Sequence, residues 1–325
     1  MTPQALPVDF GIPVLRRIHP DVNRIGERLG VWAAGVGLTD GPSEEARLRS
    51  AGFHLISSRF FSDAPAEAVE LFARWVVLLF HLDDQQDEGP MGRSPDHVRA
   101  VYQAMTSVID GDPPAARPAP AVAAMADLWP RTADGLSGAW RLRFRAQFLC
   151  HRDAFLTQVT HRERATVPTR ERYPALRRDA NGMFMWNLVE AALRTEVPAA
   201  LADGALWREM CEASNDVTAW CNDVLSLKRE IAAGEVTNYV IVLQHATGCD
   251  TATALDQVCG HIRARYLRLT AIRAELVRPI AALPAALRGS VARIADIICA
   301  MPGTQLAWFA ESGRYQDSAP VSNGT

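Results

Sequence analysis

The chain has 325 residues, with 34 Lys and Arg against 37 Asp and Glu and a formal net charge of −3. Hydrophobic residues make up 48% and charged residues 22%, which permits a large buried core and excludes wholesale disorder. The balance gives no clustered basic face for nucleic acid, no apolar run reaches the roughly 18 residues of a membrane span, and the start MTPQALPVDFGIPV has no basic-then-apolar leader, so neither nucleic acid nor membrane is an expected partner and a cytoplasmic location is expected.

Past a Pro-containing N-terminus, apolar residues recur at three and four positions almost throughout. The clearest segment, a helix expected over about 66–87, carries Phe72, Val76, Leu79, Phe80 and Asp83 along one face. Ala, Leu, Arg and Glu dominate such segments, and no Val/Ile/Thr-rich run is bounded by Asn-Gly or Asp-Gly hairpins, so the fold class is all-α. Interruptions at 87–95, 110–121, 161–174, 197–204 and 281–289 read as helix connections. The Pro-rich stretch 110–120 has a linker's composition, but the helices on both sides are equally apolar, which favours a loop within one bundle. No internal repeat is present, and 1–14 and 316–325 are expected to be flexible ends of one domain spanning 1–325. Cys150, Cys211, Cys221, Cys249, Cys259 and Cys299 show no metal-binding spacing and are expected to be free, buried thiols.

The first chemistry-bearing stretch is HLDDQQDE, where Asp83, Asp84, Asp87 and Glu88 end the apolar helix. Residues four apart share a helix face, so Asp83 sits beside Asp87 and Asp84 beside Glu88. Like charges at this spacing, after so apolar a run, call for a compensating cation, although a solvated acidic helix end accounts for this motif alone equally well. The second is NDVLSLKRE, in which Asn222, Ser226 and Glu230 form a row of amide, hydroxyl and carboxylate oxygens four apart. These are hard donors suited to magnesium, which takes few protein ligands and completes its octahedron with phosphate and water. An ordinary polar helix face is the alternative, but the surrounding VTAWCNDVLSL is too apolar for a solvated one.

Together the two rows resemble the D-D-x-x-D and N-D-x-x-S-x-x-x-E motifs of bacterial class I terpene synthases, which face each other across a helical bundle. The ending WFAESGRY is similar to that family's W-x-x-x-S-x-R-Y, and RYPALRRDANGMF resembles its diphosphate-sensing segment with an irregular helix break. The resemblance spans about 50–315. It implies a single α-domain with a central cavity, a magnesium requirement of three ions with bound diphosphate, and a prenyl diphosphate substrate. A homodimer is compatible with it.

By position, the resemblance makes Asp83 the leading metal ligand, supported by Asp84 and Asp87, and Asn222, Ser226 and Glu230 the triad for another magnesium. Arg178 becomes the diphosphate sensor, Asn181 the linker and Gly182 the effector, with Arg229, Arg314 and Tyr315 also binding diphosphate. Two departures stand out: Asn181 replaces the usual Asp or Thr, and Arg229, preceded by Lys228, replaces the usual Lys. Phe80, Trp186 and Trp308, with Phe53, Phe60 and Phe61 behind them, are the expected cavity wall, where aromatic faces stabilise a passing cation, although core packing is the alternative for each. His81 receives no role, because released diphosphate is a suitable proton acceptor.

The implied reaction is ionisation of farnesyl diphosphate and cyclisation to a sesquiterpene hydrocarbon or alcohol, with geranylgeranyl diphosphate as the alternative substrate. A chain-elongating prenyltransferase would carry a second aspartate-rich motif in place of NDVLSLKRE. A non-catalytic helical binding protein would require every motif to be coincidental or relict.

Overall fold

The structure is a computed structural model and describes residues 6, 8–87 and 89–315. Expectations for Glu88, for residues 1–5 and 7 and for the tail 316–325 lie outside the described residues. Among those described there is no strand, and the helices run α1 (Val22–Gly35), α2 (Pro42–Ala51), α3 (Phe53–Phe60), α4 (Ala66–Asp87), α5 (Pro95–Asp110), α6 (Pro120–Ala133), α7 (Gly138–Glu163), α8 (Tyr173–Ala180), α9 (Phe184–Ala192), α10 (Ala199–Ala202), α11 (Ala205–Ala233), α12 (Tyr239–Thr247), α13 (Thr251–Glu275), α14 (Val277–Ala281) and α15 (Ala285–Phe309).

Local chemistry sets many of these ends. Ser94 caps α5 by accepting from the His97 N–H, with Pro95 following at the first helical position, where its missing N–H costs nothing. Ser137 and Asp250 cap α7 and α13 in the same way, through the N–H groups of Trp140 and Thr253. The Pro-rich segment 111–119 joins α5 to α6, which pack on each other.

The two helices carrying the sequence motifs are each surrounded by several others. Helix α4 packs on α1, α3, α6 and α9, and α11 packs on α8, α12, α13 and α15. Pro302 inside α15 has no N–H for the carbonyl of Ile298, and the hydroxyl of Ser214 on α11 donates to that carbonyl at 2.6 Å. A proline that breaks the helix ladder thereby ties α15 to α11.

Two expectations are corrected. Residues 8–14 are not a loose end: Phe10 and Ile12 are buried, 2% and 6% exposed. The chain runs against α15 where Gly303 has no side chain to strike the Pro13 carbonyl, and the Leu15 N–H donates to the Gly303 carbonyl at 3.1 Å. The cysteines are free, but only Cys211, Cys221 and Cys259 are buried, while Cys150 is exposed and Cys249 and Cys299 are partly so. Cys150 sits on the outer side of α7, whose stripe of Trp140, Phe144, Phe148, His151 and Phe155 takes the core.

Candidate active site

The C-terminal end of α4 and the C-terminal half of α11 meet at a cleft of about 210 Å³. Asp83, Asp84 and Asp87 come from α4, Asn222 and Glu230 from α11, and Arg314 and Tyr315 from the turn after α15. Asp83 and Asp87 each keep 44% of their side-chain surface, and that surface faces the cleft they line. Loss of hydration, and then the charges of Asp83, Glu230 and Glu235, push Asp87 up to about 8. Burial raises Asp83 too, against the pull of Arg314, and burial followed by the charge of Asp223 raises Glu230 to about 7. Burial outweighs the arginines that act on each of these carboxylates.

Asp84 differs from its neighbours. Arg314 forks onto it at 2.8 and 3.2 Å, and Arg47 of α2 reaches it at 2.9 Å, so it serves as a counter-ion for two arginines. The Arg314 guanidinium also lies 4.9 Å from the centre of the Phe80 ring, a cation–π contact.

In the α11 row, the Asn222 amide donates to the Tyr315 hydroxyl at 2.8 Å, and its side-chain oxygen accepts from Arg177 at 2.9 Å. Ser226 donates to the Asn222 backbone carbonyl at 2.6 Å, and Glu230 accepts from Asn238 at 2.8 Å. Arg229 is exposed at the cleft rim and has no hydrogen bond or ion pair among the described residues.

The structure corrects the sensor assignment. Arg178 does not reach the cleft: its guanidinium forks onto the buried Asp216 at 2.8 and 3.0 Å, a carboxylate shared with Arg265. Arg177 lines the cleft instead, holding Asp223 at 2.7 Å as well as Asn222. Successive helical residues point about 100° apart, so one step along α8 moves a guanidinium from one neighbour to another. A signal was present in the sequence, since Tyr173 lies four residues before Arg177 and both hold Asp223, Tyr173 at 2.6 Å.

Asn181 and Gly182 do mark a helix break: α8 ends at Ala180 and α9 begins at Phe184. Gly182 has φ of 78°, and a Cβ there would lie 3.0 Å from Leu79 and 3.2 Å from Phe184. Asn181 donates to the side-chain oxygen of Asn215 on α11 at 2.8 Å, and Asn215 donates in turn to the Arg178 carbonyl at 3.0 Å.

The aromatic expectations divide. Phe53 stacks on Phe80 at 4.6 Å, and both border a second cleft of about 140 Å³ that shares Asp84 and Arg314 with the first. Trp308 is fully buried behind them, 5.5 Å from Phe80, and donates to the Ala51 carbonyl at 2.8 Å. Phe60 and Phe61 pack on Phe72, at 5.6 and 5.1 Å, in the layer between α3 and α4 and not at either cleft. Trp186 is buried in α9, its ring N–H unpaired among the described residues.

Sequence reasoning also missed Arg162 and Glu235. Arg162 of α7 lines the cleft, binds Glu235 at 2.7 Å and stands 3.9 Å from Asp87, so it braces the loop after α11 against the end of α4. Their contact crosses three elements and leaves no periodic trace in the sequence.

The fold is an all-helical bundle in which oxygen donors of α4 and α11 line one cleft with four arginines. The model for terpene synthase family 2, C-terminal metal binding, matches residues 74–268. Pristinol synthase of Streptomyces pristinaespiralis is 30% identical over 96% of this chain and 86% of its own. Pentalenene synthase of Streptomyces exfoliatus is 28% identical over 98% of this chain and 95% of its own. Among solved structures, a variant of cucumene synthase superposes with a TM-score of 0.82 at 25% identity, covering 95% of this chain and all of that one, and hedycaryol synthase shares the fold at 0.81. The chain belongs to the terpene synthase family.

Among the described residues no helix is long and apolar enough to cross a membrane.

Proposed function

We propose that this terpene synthase ionises farnesyl diphosphate with magnesium and cyclises the resulting cation to a sesquiterpene hydrocarbon or alcohol. The observation that carries the reading is the meeting of Asp83 and Asp87 with Asn222 and Glu230 around one cleft rimmed by Arg177, Arg229, Arg314 and Tyr315. Its relatives point to the C15 substrate: one of them, of Roseiflexus castenholzii, is a (+)-T-muurolol synthase described as (2E,6E)-farnesyl diphosphate cyclizing, 29% identical over 75% of this chain.

The donor set fits magnesium. Its atoms are hard oxygens, and burial, followed by neighbouring carboxylates, holds Asp87 and Glu230 above the ordinary carboxylate range. Asp83 and Asp87 on one side, and Asn222, Ser226 and Glu230 on the other, would hold three ions with the bound diphosphate. Magnesium supplies charge that stabilises the departing diphosphate.

The chain's own residues do the rest. Arg177, Arg229 and Arg314 offer charge-assisted donors to the diphosphate oxygens, and the Tyr315 hydroxyl adds a neutral one. Asp223 and Tyr173 fix the Arg177 guanidinium beside Asn222, so the donor is placed before substrate arrives. Phe80 and Phe53 stack on each other next to this charge cluster, and the buried apolar residues of α4, α9 and α15 would keep water from the cation.

The test is incubation of purified protein and magnesium with geranyl, farnesyl and geranylgeranyl diphosphates, followed by gas chromatography with mass spectrometry. Diphosphate release with a C15 product is the expected result. Turnover of geranylgeranyl diphosphate alone would overturn the substrate assignment, and no release from any of the three would overturn the enzyme reading.

A further inference from the structure

Behind the break between α8 and α9 lies a buried pair that the ionisation site does not use. His151 of α7 is fully buried. Its Nε2 is 3.1 Å from the carbonyl oxygen of Ala180, the last residue of α8, and its Nδ1 is 2.7 Å from the hydroxyl of Tyr102 on α5. A carbonyl only accepts, so Nε2 carries the proton and Nδ1 accepts from Tyr102. Burial keeps this imidazole neutral, pushing it down to about 3.

The Ala180 carbonyl needs such a partner. In an unbroken helix it would accept from the N–H of Phe184. The turn at Gly182 ends that ladder, and the next N–H groups bond locally, Met185 to the Gly182 carbonyl and Trp186 to that of Met183. A buried carbonyl left unpaired costs about as much as a lost hydrogen bond, and His151 removes that cost. The same ring lies 5.4 Å from Phe184 at the start of α9, so His151 touches the chain on both sides of the break. From the opposite side Asn215 of α11 holds the Arg178 carbonyl. The break is thus slung between α7 and α11, with Arg177 one turn before it.

We propose that His151, oriented by Tyr102, is a positioning residue for cyclisation: it fixes the α8–α9 break relative to Arg177 and so the shape in which the cation folds. This rests on the cyclase reading above. His151 touches no reacting atom; it acts through the backbone of Ala180.

The experiment compares His151→Leu, His151→Gln and Tyr102→Phe with wild type for product ratios, kcat, KM and melting temperature. Gln keeps a neutral N–H donor for Ala180 and an acceptor for Tyr102. His151→Leu is expected to lower kcat about tenfold with KM little changed, as loss of one hydrogen bond's worth of transition-state order predicts, and to shift product from the main cyclised species to others. His151→Gln is expected to restore both, and Tyr102→Phe to shift the product ratio in the same direction by less. A His151→Leu protein with the wild-type product ratio and kcat would overturn the proposal, as would a His151→Gln protein that melts like wild type yet matches His151→Leu in products. Should His151→Leu fail to fold, an unchanged product ratio in Tyr102→Phe overturns it and a shifted one supports it. Wild-type protein inert toward every prenyl diphosphate would overturn the cyclase reading and this inference together, whereas an active wild type with indifferent variants overturns this inference alone.

Discussion

Arg177 donates to the side-chain oxygen of Asn222 at 2.9 Å while its other edge rests on Asp223 at 2.7 Å. The oxygen expected to bind a metal is therefore held by a cation of the protein itself, and α8 touches the α11 row through this contact. Arg178, one residue on, is committed to Asp216 at 2.8 Å. Neighbouring arginines of one helix thus separate into a donor at the cleft and a strut outside it.

Substitution separates the two. Arg177→Ala is expected to lower kcat/KM by a factor of about 100 or more, the scale of losing a preorganised donor at a developing charge. Arg178→Ala should keep turnover within about tenfold and instead lose roughly 1–3 kcal/mol of stability, because the buried Asp216 forfeits one of its two partners. Steady-state kinetics with urea unfolding reads both; a dead Arg178→Ala that is fully folded would reverse the assignment.

Asp84 should prove less important for metal than Asp83. Its oxygens are engaged by Arg314 and Arg47, so Asp84→Asn mainly removes a counter-ion shared by two arginines, while Asp83→Asn removes a cleft donor. Isothermal titration with magnesium and inorganic diphosphate is expected to show the larger loss, about tenfold in affinity or more, for Asp83→Asn. Equal losses would place Asp84 among the ligands.

Protons should leave when magnesium binds. Asp87 near 8 and Glu230 near 7 retain protons in the folded, metal-free protein that the unfolded chain releases near pH 4, so metal-free stability falls as pH rises from about 4 through those values. Magnesium binds the ionised forms, and its stabilisation should therefore grow with pH. The magnesium-induced rise in melting temperature, with diphosphate present, is expected to be larger at about pH 8.5 than at about pH 6. A pH-independent shift would contradict the raised carboxylates.

His151 has the opposite sign. Its folded value of about 3 lies below the ordinary 6.5 of an unfolded histidine, so the unfolded chain binds the extra proton first. Stability is full above about pH 6.5 and is lost as pH falls toward 3. His151→Gln should flatten this acid limb of the urea-unfolding profile, and an unchanged slope would argue that the ring is protonated in the fold.

Gly182→Ala places a Cβ where φ is 78° and contacts of 3.0 and 3.2 Å await it. The left-handed backbone alone costs an alanine about 1–2 kcal/mol, and relief requires Leu79 and Phe184 to move. Lower thermal stability together with altered products is expected from calorimetry and product analysis. Wild-type behaviour would show that the break tolerates a side chain.

Much of this was legible in the linear chain because helical periodicity repeats over many residues. The α4 span, the order of the connections and the oxygen rows at Asp83/Asp87 and Asn222/Ser226/Glu230 all follow from spacing along single helices. The aromatic wall was less legible, since Phe60 and Phe61 are as apolar as Phe53 and nothing local says which ring reaches a cleft and which packs on Phe72.

The choice between Arg177 and Arg178 turns on a rotation of about 100° within α8, and only the packing of that helix between α7 and α11 sets its phase. The same packing decided that Asp84 meets Arg314 and Arg47, that Arg162 joins Glu235, and that His151 finds the Ala180 carbonyl. By itself the sequence determined which oxygens share a helix face, because four residues make nearly one turn. Which cation each of them meets was decided by helices distant in sequence, because those partners become neighbours only when the core closes.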